Sequence, residues 1–180
     1  MNERNQKPDT SAQDVITLYQ DLEAIGIDIW IDGGWGVDAL LEKQTREHED
    51  VDIVIEQKDV RALRKFLEVR GFTDVPRDDT SDWNFVLGDQ NGRLVDVHSI
   101  VFDEHGNGLY GPVDKGVMYP AESLTGQGTI AGHSVRCISP DWMVKFHSRY
   151  ELDENDFQDV SALCEKFGIP LPDEFARFTK

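Results

Sequence analysis

From Ser11 onward, apolar positions alternate between helical stripes and short β-branched runs. Val15, Ile16, Tyr19, Leu22 and Ile25 fall on one helical face, with Ser11 placed to cap the start and Gly26 to stop it. Residues 27–31 are β-branched and aromatic and run into Asp32-Gly33-Gly34, which reads as a strand entering a tight turn. A short helix is expected over 35–43, a strand over 51–55, and an amphipathic helix over 59–70 closed by Gly71. Short strands follow at 72–75, 83–87 and 94–102, the last two separated by a turn at Gln90-Asn91-Gly92. Residues 103–139 are rich in glycine and turn formers, and "TIAGHSVRCI" predicts two strands about Ala131-Gly132. From Pro140 the pattern is helical as far as Gly168, with a break expected at Asp153-Glu154-Asn155 and an apolar stripe of Phe157, Val160, Leu163, Cys164 and Phe167. The expectation is an α/β (α+β) chain: a polar, disordered leader over 1–10, a mixed-sheet core over 11–139, and a C-terminal helical segment over 140–180.

A length of 180 residues suits one domain with a helical appendage. The formal net charge of -17, from 18 basic against 35 acidic residues, disfavours nucleic-acid binding and suits a cationic ligand. Cys137 and Cys164 lie far apart in no metal-type or redox spacing, which predicts buried reduced thiols and a cytoplasmic protein. The opening MNERNQKPDT has no apolar core, and no run elsewhere approaches a membrane span, so neither export nor a membrane is expected.

Candidate chemistry begins with Asp50 and Asp52, which bracket Val51 at the start of an apolar strand. Residues two apart in a strand share a face, so the two carboxylates project together while Val51 and Ile53 cover the other side. Like charges that close repel, and a hard cation such as Mg²⁺ relieves both at once. The alternative is a solvent-facing pair at a strand end. Gly33-Gly34 follows a strand and precedes a helix, a combination that brings bare backbone and a helix N-terminus to a phosphate, although a double glycine also makes a plain turn. A third acid, Asp96, stands between Val95 and Val97 in another apolar strand and needs a partner there. Arg46 and His48 are candidates for a phosphate or for ordinary surface charge, and Lys145 and Arg149, four apart, for an anionic ligand or a solvated helix face. His98 shares the face of Asp96 and either orients it or is a core histidine. Glu151, Asp153, Glu154, Asp156 and Asp159 either attract an amine or form a solvated face, while Trp30 and Trp35 read as core or nucleotide-wall residues.

Gly-Gly, a spacer, Asp-x-Asp on a strand and a later strand aspartate resemble the signature of the DNA polymerase β-type nucleotidyltransferases. The longer blocks "WIDGGWGVDALLEKQTREHEDVDI", "LVDVHSI", "GHSVRCIS" and "FHSRYELDENDFQDVSALC", spanning about residues 30–168, are similar to the lincosamide nucleotidyltransferases and more loosely to small aminoglycoside nucleotidyltransferases. The resemblance implies that core fold and transfer of a nucleoside monophosphate from a nucleoside triphosphate to a hydroxyl of a small antibiotic-like acceptor, with release of pyrophosphate. Asp50 and Asp52 would hold Mg²⁺, a second Mg²⁺ would bridge to Asp96, and Asp96 would take the hydroxyl proton. Gly33, Gly34, Arg46, His48, Lys145 and Arg149 are the candidate nucleotide contacts. The expected acceptor is a small cation, a lincosamide first and an aminoglycoside second, with Trp83, Tyr110 and Met118 as a possible wall. A nucleotidyltransferase acting on a partner protein and a non-catalytic nucleotide binder are the other readings. A homodimer is left open.

Overall fold

The computed structural model describes residues 9–148 and 151–179. Helix α1 (Ala12–Ala24) starts in a capping box: the Ser11 hydroxyl accepts the Asp14 amide and the Asp14 carboxylate accepts the Ser11 amide. Strand β1 (Ile29–Asp32) then enters α2 (Gly33–Leu41) without a linker. The tight turn expected at 32–34 is the first turn of the helix itself. Asp32 is its N-cap, with Oδ1 accepting the Gly33 amide at 2.8 Å, and Gly33 takes φ +56, so the chain changes direction within one residue. The helix therefore starts two residues earlier than the pattern over 35–43 suggests.

Strand β2 (Val51–Glu56), a 3-10 turn (Gln57–Asp59) and α3 (Val60–Glu68) follow, then β3 (Thr73–Val75), β4 (Asn84–Gly88) and β5 (Leu94–Phe102). Two further strands, β6 (Gly108–Tyr110) and β7 (Val117–Tyr119), form a hairpin against the far half of β5, where the sequence showed only turn residues. Three residues are too few to display an alternation, and their pairing comes from the length of β5. Strands β8 (Gly126–Ile130) and β9 (His133–Cys137) join through Ala131 and Gly132, both at positive φ, as the sequence suggests. The helical stretch after Pro140 divides into α4 (Pro140–Phe146) and α5 (Glu154–Phe167). The break is wider than expected, because Asp153 and Asp156 form a capping box that starts α5 afresh, while Gly168 at φ +68 ends it.

The strands form one mixed sheet in the order β3-β4-β5-β2-β1-β9-β8, with β6 and β7 attached to β5. Pairs β2–β5 and β1–β9 are parallel and the others antiparallel. Val51 and Val95 face α1 and α3, where Val15, Leu22, Leu63 and Leu67 are fully buried. Each such side chain contributes about 1.5–3 kcal/mol by leaving water. The opposite face carries α2, which packs on α4 and α5. Cys137 and Cys164 are free and buried, and burial pushes the Cys137 thiol up to about 12. Among the described residues no helix is long and apolar enough to cross a membrane.

Candidate active site

The sheet register assembles the acids. Asp32 pairs with Asp52 across β1–β2, and Asp52 pairs with Asp96 across β2–β5, so three aspartates stand side by side on neighbouring strands. Asp50 lies just before the first paired residue of β2 and lines the same cleft as Asp52. Ligand atoms of Asp52, Asp96 and His98 all fall within 4.8 Å of one another. Asp50 stands outside that group and reaches it through charge. Burial first, then Asp50 and Asp96, push the Asp52 carboxyl up to about 8, and burial with Asp96 raises Asp50 as well. Burial opposes the charge on His98, but Asp96 beside it and the Asp52 and Asp32 carboxylates prevail and raise it to about 9. His98 Nε2 stands 3.3 Å from Asp96 Oδ1, close enough for an ion pair but not aligned as a hydrogen bond, and Asp96 Oδ1 and His98 Nδ1 are both buried without a hydrogen-bond partner. Crowded carboxylates with an unsatisfied buried oxygen are a donor set suited to a hard divalent cation, which would neutralise them together.

Beside the row opens a cleft of about 530 Å³ that joins Gly33, Gly34, Arg46, His48, Asp50 and Asp52. The two glycines are needed for space. A Cβ at Gly33 would collide with the Asp52 carboxylate, and one at Gly34 would come within 2.5 Å of His48 Nδ1 and 2.9 Å of Arg46 Nη2. Arg46 and His48 are therefore brought over the first turn of α2, where backbone N–H groups and the helix dipole favour an anion. Neither is a loose surface charge. Arg46 Nη2 donates to Asp159 Oδ2 at 3.0 Å, and His48, 5% exposed, packs on Trp35 and bonds Asp38 through Nε2 at 2.5 Å.

Helix α4 closes at Phe146, with Lys145 in its last turn. Lys145 is not among the cleft residues: its ammonium sits 4.0 Å over the Trp142 ring in a separate recess with Glu122. Arg149 lies outside the described residues. Two residues beyond Lys145, His147 does line the cleft. The acidic run at 151–159 is not one solvated face either. Asp153 and Asp156 cap α5, Asp156 also lines the cleft, and Asp159 is buried against Arg46. Trp35 is fully buried and Trp30 Nε1 donates to the Leu124 carbonyl, so both are built into the core or its edge. Tyr110 stands 5.6 Å from the His98 ring, Trp83 approaches Gly111, and Met118 is exposed on β7.

Sequence reasoning missed Asp32 and Asp38 and read Asp159 only as one member of an acidic run. Asp32 sits in the apolar run Ile29–Asp32, where the argument used for Asp96 applies equally. It is buried, caps α2, and accepts a 3.3 Å hydrogen bond from the Tyr119 hydroxyl. Asp38 is an acid among apolar residues of a short helix, a signal of the same kind. Asp159 was hidden in a charge run, although it lies four residues before Leu163 on the buried stripe. A smaller cavity of about 130 Å³ lies on the other face of the sheet, behind Val51 and Val95, and contains none of the row.

The aminoglycoside-2''-adenylyltransferase family model matches residues 14–163. The chain belongs to that family. It is a nucleotidyltransferase of the antibiotic-modifying kind, with the nucleotidyltransferase fold, a nucleotide co-substrate and an acidic group able to hold a divalent metal. A lincosamide resistance protein of Staphylococcus haemolyticus is 28% identical over 149 residues, which are 83% of this chain and 89% of that protein. The lincosamide antibiotic adenylyltransferase LnuA, in its lincomycin-bound crystal structure, is 25% identical with a TM-score of 0.76 over 90% of this chain and 99% of its own. ANT(2'')-Ia in complex with adenylyl-2''-tobramycin shares the family fold at a TM-score of 0.68 and 19% identity, covering 93% of this chain and 98% of its own. The expected resemblance and fold class are thus met.

Proposed function

We propose that this family member transfers a nucleoside monophosphate from a nucleoside triphosphate to a hydroxyl of a small cationic antibiotic, a lincosamide in preference to an aminoglycoside, in the cytoplasm. The observation that carries the proposal is the register that sets Asp52 beside Asp96 at the edge of a cleft bounded by Gly34, Arg46 and His48. Asp50, Asp52 and Asp96 would hold two Mg²⁺ ions. When bound, Mg²⁺ supplies charge neutralisation of the triphosphate and polarisation of its oxygens. Asp96 accepts the proton of the acceptor hydroxyl, whose oxygen bonds to the α-phosphorus as the bond to pyrophosphate breaks. His98 braces Asp96 from two residues along the same strand. Gly33 and Gly34 admit the phosphates to the backbone, and Arg46 and His48 oppose their charge. The similarity to LnuA over nearly the whole of both chains supports the lincosamide, and the aminoglycoside name of the family supports the second acceptor.

The test is incubation with each of the four common nucleoside triphosphates, Mg²⁺ and lincosamide and aminoglycoside panels, read by pyrophosphate release and the mass of the acceptor. Adduct formation that is abolished by EDTA is expected. No transfer to either class under any triphosphate would overturn the proposal in favour of a partner-protein substrate.

A further inference from the structure

The segment between α2 and β2 brings Arg46, His48 and Asp50 to the cleft, yet it belongs to no strand or helix. A loop keeps functional side chains in place only when something rigid holds them. Two buried carboxylates on two different helices do this. Asp38, in the second turn of α2 and 2% exposed, takes the Thr45 amide at 3.1 Å and the Thr45 hydroxyl at 2.6 Å on Oδ1, and His48 Nε2 at 2.5 Å on Oδ2. With one ring nitrogen committed, the other, Nδ1, is turned towards Gly34. Asp159 of α5, 4% exposed, takes Arg46 Nη2, and that same nitrogen is also turned towards Gly34. Arg46 Nε is buried without a hydrogen-bond partner and Nη1 reaches only the neighbouring Glu47 carbonyl at 3.5 Å, so the shorter contact to Asp159 is the one that ties the guanidinium to a helix.

Neither Asp38 nor Asp159 lines the cleft. We propose that they are positioning residues for the nucleotide: from α2 and α5 they hold the His48 ring and the Arg46 guanidinium over the first turn of α2, and so set the affinity for the triphosphate. The inference rests on the reading that the cleft takes a nucleoside triphosphate. A buried carboxylate pays its desolvation cost only against a well-placed partner, and removing it leaves the partner free to rotate or unpaired. The helix α5 thereby contributes to nucleotide binding through Asp159 without that side chain touching the substrate.

The experiment is a pair of double-mutant cycles, Asp38→Asn with His48→Gln and Asp159→Asn with Arg46→Gln, in the full-length protein with Mg²⁺. Binding of inorganic tripolyphosphate and of a non-hydrolysable ATP analogue is followed by calorimetry, together with the two Michaelis constants. Each Asp→Asn change is expected to weaken both probes about tenfold and to raise KM for the nucleotide with KM for the acceptor unchanged. Each double variant should bind no more weakly than the corresponding His48 or Arg46 single variant, because the carboxylate acts through its partner. Triphosphate affinity within twofold of wild type in folded single variants, or additive losses in the doubles, would overturn the inference. A role confined to folding would lower Tm without separating the two Michaelis constants. If Asp38→Asn fails to fold, the Asp159 cycle decides the matter. Wild-type protein that binds neither probe would instead overturn the nucleotide reading itself.

Discussion

Asp52 lies between Asp32 and Asp96 in register, and its carboxyl is raised from 3.8 to about 8 by burial, then by Asp50 and Asp96. A folded-state pKa above the unfolded value means that the folded protein holds the proton more tightly. This stabilisation is complete below about pH 4 and is lost as pH rises through about 8. His98, raised from 6.5 to about 9, adds a contribution of the same sign, complete below about 6.5 and lost as pH rises through about 9. Metal-free protein is therefore expected to lose stability from pH 5 to pH 9 by more than its Asp52→Asn variant does. At pH 8 that variant should melt higher than wild type by several degrees, at roughly 2–4 °C per kcal/mol. Scanning calorimetry of both proteins in EDTA checks this, and equal pH slopes would refute it. The same row predicts a division of labour. Asp50→Asn and Asp52→Asn should weaken Mg²⁺ and triphosphate binding as well as turnover, since each removes a ligand charge. Asp96→Asn should lower kcat by about a thousandfold or more yet keep measurable triphosphate binding, since it removes the base. Calorimetric titration with a non-hydrolysable triphosphate separates them, and equal loss of binding in all three would remove Asp96 from the role of base.

Among the elements, α2 concentrates the site. Its N-terminus is built by Asp32 as cap, Gly33 at positive φ and Gly34 beneath Arg46 and His48, so side chains are excluded at 33 and 34 for different reasons. Gly34→Ala should raise KM for the nucleotide about tenfold or more, because the methyl group displaces the Arg46 end and the His48 edge from the places in which Asp159 and Asp38 hold them. Gly33→Ala should cost about 1–3 kcal/mol of stability, from the left-handed backbone together with the collision with Asp52. Thermal melts and steady-state kinetics of the two variants check the contrast. Strands β2 and β5 were legible because buried strands of six and nine residues carry long β-branched runs, and the β8–β9 hairpin because Ala131-Gly132 interrupts one. The acids Asp52 and Asp96 could be singled out for the same reason: a charge stands out in an apolar strand. Asp32 reads as part of a turn, because the aspartate that caps a helix and the aspartate that begins a turn look alike next to glycine, although its place at the end of an apolar run carries the same signal as Asp96. The start of α5 could be placed only roughly, because it is set by side-chain bonds between Asp153 and Asp156 and not by apolar periodicity.

Across the whole molecule, a net charge of -17 sets a field that repels a triphosphate and attracts a cation. The cleft sharpens this division: Arg46 and His48 stand at the N-terminal end of α2, while Glu47, Glu49 and Asp156 share the cleft with Asp50 and Asp52. A nucleotide is then drawn to the α2 end only with its Mg²⁺, and an amine-bearing acceptor to the acidic wall. The two candidate acceptors differ in how much of their binding comes from that field. A lincosamide carries a single positive charge and an apolar body, so one screened contact changes little and burial of apolar surface continues to hold it. An aminoglycoside carries several ammonium groups, and salt weakens all of their carboxylate contacts together. At fixed nucleotide, KM for lincomycin should change less than about threefold between roughly 0.05 and 0.3 M salt, an interval over which the screening length falls from about 14 to about 6 Å. KM for an aminoglycoside should rise tenfold or more over the same interval. Initial rates of pyrophosphate release, with NaCl varied at constant free Mg²⁺, measure both. A steep salt dependence for lincomycin would show that the acidic wall, and not the apolar surface, recognises the acceptor, and would shift the assignment towards the polycationic drugs.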